Sequence, residues 1–187
     1  MSKLMSLIPS QVKAIIFDLD DTLYDCSGTL VLKSKELAAT IISKAIKCSE
    51  ADALKLQLEL EGRLGPKADI VREIASLHNL SEGFCTEVSE AINDLNLEGT
   101  VLFPDTMGSI NELKKFGYKL FLVTFGAREM QEKKIKVLGL EKAFDEIIIT
   151  ENPRGKEKCF KEILTKSDLE PKQVLCVGDK IKDEIEA

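Results

Sequence analysis

Ile15-Ile16-Phe17-Asp18-Leu19-Asp20-Asp21-Thr22 is an apolar run that stops abruptly at three acidic residues and a threonine. Physically it reads as a buried strand that delivers carboxylates to its carboxyl end. Asp18 and Asp20 stand two residues apart, so on a strand both point the same way. Like charges held that close repel, and one carboxyl pKa is expected to rise unless a cation neutralises the pair. A hard divalent metal or a shared proton would resolve the conflict. Mg²⁺ suits carboxylate oxygens and commonly works with phosphate.

The apolar character extends to four runs: Val12–Phe17, Lys119–Val123, Glu146–Ile149 and Gln173–Val177. Each is continuous rather than alternating, the pattern of strands buried on both faces of a parallel sheet. Between the later runs lie amphipathic stretches. Met107, Ile110, Leu113 and Phe116 share one face and stop at Gly117; Met130, Ile135 and Leu138 do so before Gly139. Glycine just past a helix end is a usual stop signal. The alternation implies an α/β fold, a three-layer Rossmann-like parallel sheet with right-handed crossovers.

From about Gly28 to Gly99 that rhythm breaks and no strand is evident. Helical stripes run through Leu37, Ile41 and Ile42, then Leu54, Leu58 and Glu61 after the start signal Ser49-Glu50-Ala51-Asp52. Ile70, Ile74 and Leu77 form a third, and Val88, Ala91, Ile92 and Leu95 a fourth. Four helices over this length predict an inserted all-helical unit. The expected division is 1–25 with 100–187 as the core and 26–99 as the insertion, with hinges at Gly28 and at 99–104.

Composition narrows the function classes. At 187 residues, 44% hydrophobic and 31% charged, the chain suits one core domain with an insertion. A net charge of −6, no basic tract and no Trp argue against nucleic acid as a partner. No apolar stretch approaches the ~20 residues of a membrane span. Cys26, Cys48, Cys85, Cys159 and Cys176 are scattered without a CxxC pair, and the N-terminus lacks a secretory leader. That combination reads as reduced thiols in the cytoplasm, with Cys176 a small core residue. His78 has no partner at metal-ligand spacing and reads as structural or surface.

In open parallel sheets ligands bind beyond the carboxyl ends of the strands. There the sequence places Asp18, Asp20 and Thr22, then Thr124, then Arg154, Gly155, Lys156 and Lys158, and finally Gly178, Asp179, Asp183 and Glu184. Alone, each is an ordinary turn or surface residue. Their joint occurrence in this order points to a site.

This set resembles the haloacid dehalogenase-like hydrolase superfamily over nearly the entire chain. The DxDxT motif matches residues 18–22; the Thr or Ser at a strand end matches Thr124. The Lys before a helix best matches Lys156, and GDxxxD or GDxxxxD matches Gly178-Asp179 with Asp183 or Glu184. The resemblance implies a helical cap inserted after the first motif. It also implies a Mg²⁺-dependent phosphatase that acts on a small phosphorylated metabolite as a monomer or homodimer. On that resemblance, Asp18 is the nucleophile. Asp20 is the proton shuttle with a raised pKa, and Asp21 a bystander. Thr124 and Lys156 hold phosphoryl oxygens. Asp18, the Asp20 carbonyl and Asp179 hold Mg²⁺, with Asp183 or Glu184 supporting through water. Family dehalogenases lack the second Asp, so Asp20 favours a phosphatase or a phosphomutase. A non-enzymatic metal- or phospho-ligand-binding module is the rival of another class. Insertion cations Lys33, Lys35, Arg63, Lys67 and Arg72 are expected on a solvated helix face. Relatives continue beyond the equivalent of Ala187, so the C-terminal edge of the sheet is expected to be missing.

Overall fold

The opening apolar run folds as β1 (Ala14–Phe17), with all four residues buried. The computed structural model describes residues 5–65, 68–152 and 155–180. Two compact units emerge: Met1–Cys26 with Leu97–Ala187, and Ser27–Asn96.

Every named element of the second unit among its described residues is a helix. The unit contains α1 (Leu32–Ile46), α2 (Glu50–Leu64), α3 (Ile70–Leu77) and α4 (Glu82–Asn93). Ser49 caps α2 by accepting the Asp52 N–H at 3.1 Å, as its start signal requires. The core is Ala38, Ala39, Ile42, Ala53, Leu60, Ile74, Ala75, Phe84 and Val88. The buried face of α2 is Ala53, Gln57 and Leu60, not the Leu54–Leu58 stripe, and Leu58 and Leu77 are about half exposed. Small residues bring α1 and α2 close, so Ala rather than Leu fills the seam. Lys35 pairs with Glu61, Arg63 with Glu73 at 3.8 Å and Arg72 with Glu82 at 2.6 Å. These cations are engaged within their own bundle. Lys67 lies outside the described residues. His78 is exposed at the end of α3.

The first unit resumes with α5 (Thr106–Lys115), β2 (Lys119–Phe125), α6 (Arg128–Val137), β3 (Glu146–Thr150), α7 (Gly155–Ser167) and β4 (Val174–Val177). All pairings are parallel, in the order β3-β2-β1-β4. The glycine stops work as read. At Gly139, φ is 68°, its N–H bonds Lys136 O, and the Leu140 N–H bonds Ile135 O, the paired bonds of a left-handed helix end. Phe116 lies just past α5 and is 55% exposed, so it does not join the Ile110–Leu113 face.

Burial on both faces holds for β1 and the middle of β2 only. β3 and β4 are intermediate throughout, because they are the outer strands of the described sheet. On one face Ala14, Ile16, Phe121 and Val123 pack with Cys159, Phe160 and Ile163 of α7. Alternation turns Leu120, Leu122 and Thr124 to the other face, where Thr124 meets α6. Helix, sheet and helix are thus the three layers of a Rossmann-like α/β fold. No helix among the described residues is long and apolar enough to cross a membrane.

Candidate active site

Asp18 follows β1 directly and extends its ladder, with the Asp18 N–H bonded to Val177 O at 2.9 Å. It shares parity with Ile16, so its side chain turns to the α7 face. There Lys156 Nζ lies 2.9 Å from Asp18 Oδ1, with both side chains about nine-tenths buried. Lys156 reaches it because it stands one turn before Cys159 and Phe160, on the sheet-facing stripe of α7. Lys158 is out of phase, with 82% side-chain exposure, beside Glu162. Helix phase therefore selects Lys156; Arg154 lies outside the described residues. Gly155 makes the approach possible, since a Cβ there would sit 2.0 Å from Thr150 Oγ1.

Asp20 departs from the expectation that both carboxylates point the same way. The strand ends at Phe17, and the Leu23 N–H bonds back to Leu19 O at 3.0 Å. Asp21 carries the turn at φ 58°, a conformation that Asp tolerates better than most residues. Asp20, past the strand end, meets side chains of α6. Its Oδ1 accepts from Tyr24 at 2.5 Å and Lys134 at 2.9 Å, and its Oδ2 from Gln131 and Lys134 at 3.0 Å. The predicted carboxylate crowding is resolved by two lysines, one for each Asp. Asp21, read as a bystander to the chemistry, occupies the left-handed position of this turn.

The expected rise in the Asp20 pKa is overturned with it. Burial opposes ionisation, but the Lys134 charge and hydrogen bonds from Tyr24, Lys134 and Gln131 outweigh it and hold the carboxyl below its ordinary value. Burial, then the Asp20 charge, push the Tyr24 phenol far up, so it stays a donor. The same causes push the Cys26 thiol up to about 11. A depressed folded-state pKa contributes stability that is fully present above the unfolded value of about 3.9 and is lost as pH falls through the folded-state value. Asp20→Asn should therefore unfold at lower urea than the wild type near neutrality, with the gap closing in acid. A gap constant over that range would show that ionisation of Asp20 is not what stabilises the fold.

Thr124 lies inside β2, not after it, because the strand runs on to Phe125 opposite Thr150. Thr124 is 1% exposed, and Gln131 donates to its Oγ1 at 2.6 Å. Thr22 lines a cavity of 340 Å³ with Phe17, Leu23 and Val177; its Oγ1 is buried without a hydrogen-bond partner. Asp179 follows β4, whose Val177 pairs with Phe17, so Asp18 and Asp179 leave adjacent strand ends. Asp179 also lies 3.8 Å from Lys180. Asp183 and Glu184 lie outside the described residues. Among the described residues no group of three or more His, Cys, Asp or Glu side chains is placed to hold a metal. The oxygen donors at these strand ends nonetheless suit a hard cation such as Mg²⁺.

Sequence reasoning missed Tyr24, Gln131 and Lys134. The last two occupy the buried face of α6 with Ile135 and Leu138. The available signal was their spacing: 131, 134, 135 and 138 follow the core period of a helix.

Residues 15–187 match the family model for haloacid dehalogenase-like hydrolase. The chain is 30% identical over 183 residues to a glyceraldehyde 3-phosphate phosphatase of Methanothermobacter thermautotrophicus, covering 93% of this chain and 80% of the relative. It is 25% identical over 195 residues to the N-acylneuraminate-9-phosphatase of Mus musculus, covering 95% of this chain and 78% of the relative. Among solved structures, an HAD phosphatase from Thermococcus onnurineus superposes with a TM-score of 0.67 at 24% identity, covering 94% and 80%. A buried lysine–aspartate pair at the end of β1, and a family match spanning nearly every residue, lead to one conclusion: the chain belongs to the haloacid dehalogenase-like hydrolases.

Proposed function

We propose that this protein is a phosphatase that hydrolyses a small phosphate monoester through an aspartyl-phosphate on Asp18. The observation that carries the reading is the Asp18–Lys156 pair, a carboxylate and a cation 2.9 Å apart at a strand end. A carboxylate can serve as a covalent nucleophile. An Asp18 oxygen forms a bond to phosphorus while the phosphorus–ester oxygen bond breaks. The leaving oxygen takes a proton from Asp20. Water then attacks phosphorus and gives its proton back to Asp20, inorganic phosphate leaves, and the Asp18 carboxylate is restored. Asp20 must gain its proton against the Lys134 charge, which an incoming phosphate dianion opposes.

Lys156 and the Thr124 hydroxyl are the groups that would stabilise charge on the transferring oxygens. Asp18, the Asp20 carbonyl and Asp179 would hold Mg²⁺, with Asp183 or Glu184 in support. The ion would supply further neutralisation of the phosphoryl group. The helical unit Ser27–Asn96 takes the place of a substrate-selecting cap. Five cysteines outside any disulfide fit a reducing cytoplasm.

The test is a panel of phosphate esters with Mg²⁺, including p-nitrophenyl phosphate, glyceraldehyde 3-phosphate, N-acylneuraminate 9-phosphate and sugar phosphates. Release of inorganic phosphate that ceases on chelation is the expected result. Binding without turnover across the panel would overturn the reading, and isomerisation without release would assign a mutase.

A further inference from the structure

The Gln131 side chain is 1% exposed, and its amide nitrogen faces three acceptors. Thr124 Oγ1 lies at 2.6 Å, with Asp20 Oδ2 and Phe125 O at 3.0 Å. The orientation of the amide is fixed by chemistry. Turned over, its oxygen would oppose a carboxylate and a carbonyl, neither of which can donate. An amide nitrogen cannot accept, so Thr124 must act as acceptor in this contact. A threonine hydroxyl carries one hydrogen, and no acceptor for it lies among the described residues. It is a buried donor left unspent beside the amide that also holds Asp20.

Backbone geometry maintains the arrangement. A Cβ at Gly126 would meet Gln131 Cδ at 3.2 Å and its Cγ and Nε2 at 3.3 Å, so the amide packs closely against Gly126, whose φ of 152° also favours glycine. Lys134, one turn further along α6, neutralises the same carboxylate that Gln131 contacts. The two residues are thus anchored to one target from one helix face.

We infer that Gln131 is a positioning residue. By donating to Thr124 it forces the threonine hydroxyl to point its own hydrogen at the transferring phosphoryl group, and by donating to Asp20 it holds the proton shuttle in register with that donor. The inference rests on the phosphatase reading above. Gln131 itself does not touch the substrate.

Two near-isosteric variants separate this role from packing. Gln131→Met keeps the bulk against Gly126 but removes the donor. Gln131→Glu presents oxygens that would take the Thr124 hydrogen for themselves. Both are assayed with p-nitrophenyl phosphate and Mg²⁺ beside wild type, Asp18→Asn, Thr124→Val and the Gln131→Met/Thr124→Val double variant, with melting temperatures. Misplacing a group in a phosphoryl-transfer site costs up to about 100-fold. Gln131→Met should lower kcat about 10- to 100-fold with KM changed less than about threefold. Gln131→Glu should be lower still. In the Thr124→Val background Gln131→Met should cost less than about a third of its effect alone, since there is no hydroxyl left to orient. Additive losses, or a Gln131→Met enzyme with wild-type kcat, would overturn the inference while leaving the phosphatase reading intact. Wild-type protein whose phosphate release does not depend on Asp18 would overturn both.

Discussion

Asp18→Asn is expected to abolish phosphate release, by on the order of 10⁴-fold or more, the scale seen when a nucleophile is removed from a covalent mechanism. The substitution keeps shape and volume, so the fold should survive. The Lys156 ammonium loses a charged partner but keeps an amide oxygen, at a cost of about 2 kcal/mol. A second readout separates the chemistry from this structural effect. Wild type quenched during turnover of a ³²P-labelled ester should carry label that hydroxylamine removes, as an acyl phosphate must. The Asn variant should carry none. Activity of Asp18→Asn within tenfold of wild type would exclude the mechanism, whatever its stability.

Lys156→Ala should lower kcat by about 10²- to 10³-fold, the usual loss when one stabilising donor leaves a transition state. It should also destabilise the protein, because it strands a carboxylate that is nearly buried; about 3 kcal/mol is the scale for breaking such a pair. Lys158→Ala is the matched control. That side chain is largely in water and only 3.8 Å from Glu162, so activity should stay within about twofold, in line with the small worth of exposed pairs. Equal losses in the two variants would mean that helix phase does not decide which cation serves Asp18.

Much of this site was legible before folding. The four strands sit within two residues of their apolar runs; burial in a parallel sheet leaves little choice of composition for β1 and the middle of β2. Lys156 was legible only through the resemblance to the family's lysine motif; that it shares the buried face of α7 with Cys159, Phe160 and Ile163 emerged from the structure. Gln131 and Lys134 were not legible, although they share the buried face of α6 in the same way. Polar residues at core positions look like surface until a buried partner is known. Their partner, Asp20, was itself assigned the wrong direction.

The sequence by itself determined the order of strands and helices, the inserted helical segment and the strand ends at which Asp18 and Asp179 emerge. These follow from local periodicity and glycine stops, which need no long-range information. Only the tertiary structure decided how the two carboxylates are neutralised. Asp20 lies beyond the end of β1 and meets α6, and a residue more than a hundred positions away supplies its cation. Charge is settled by distance in space, and a lysine from α6 and one from α7 can each claim one Asp only after the sheet has brought both helices to β1.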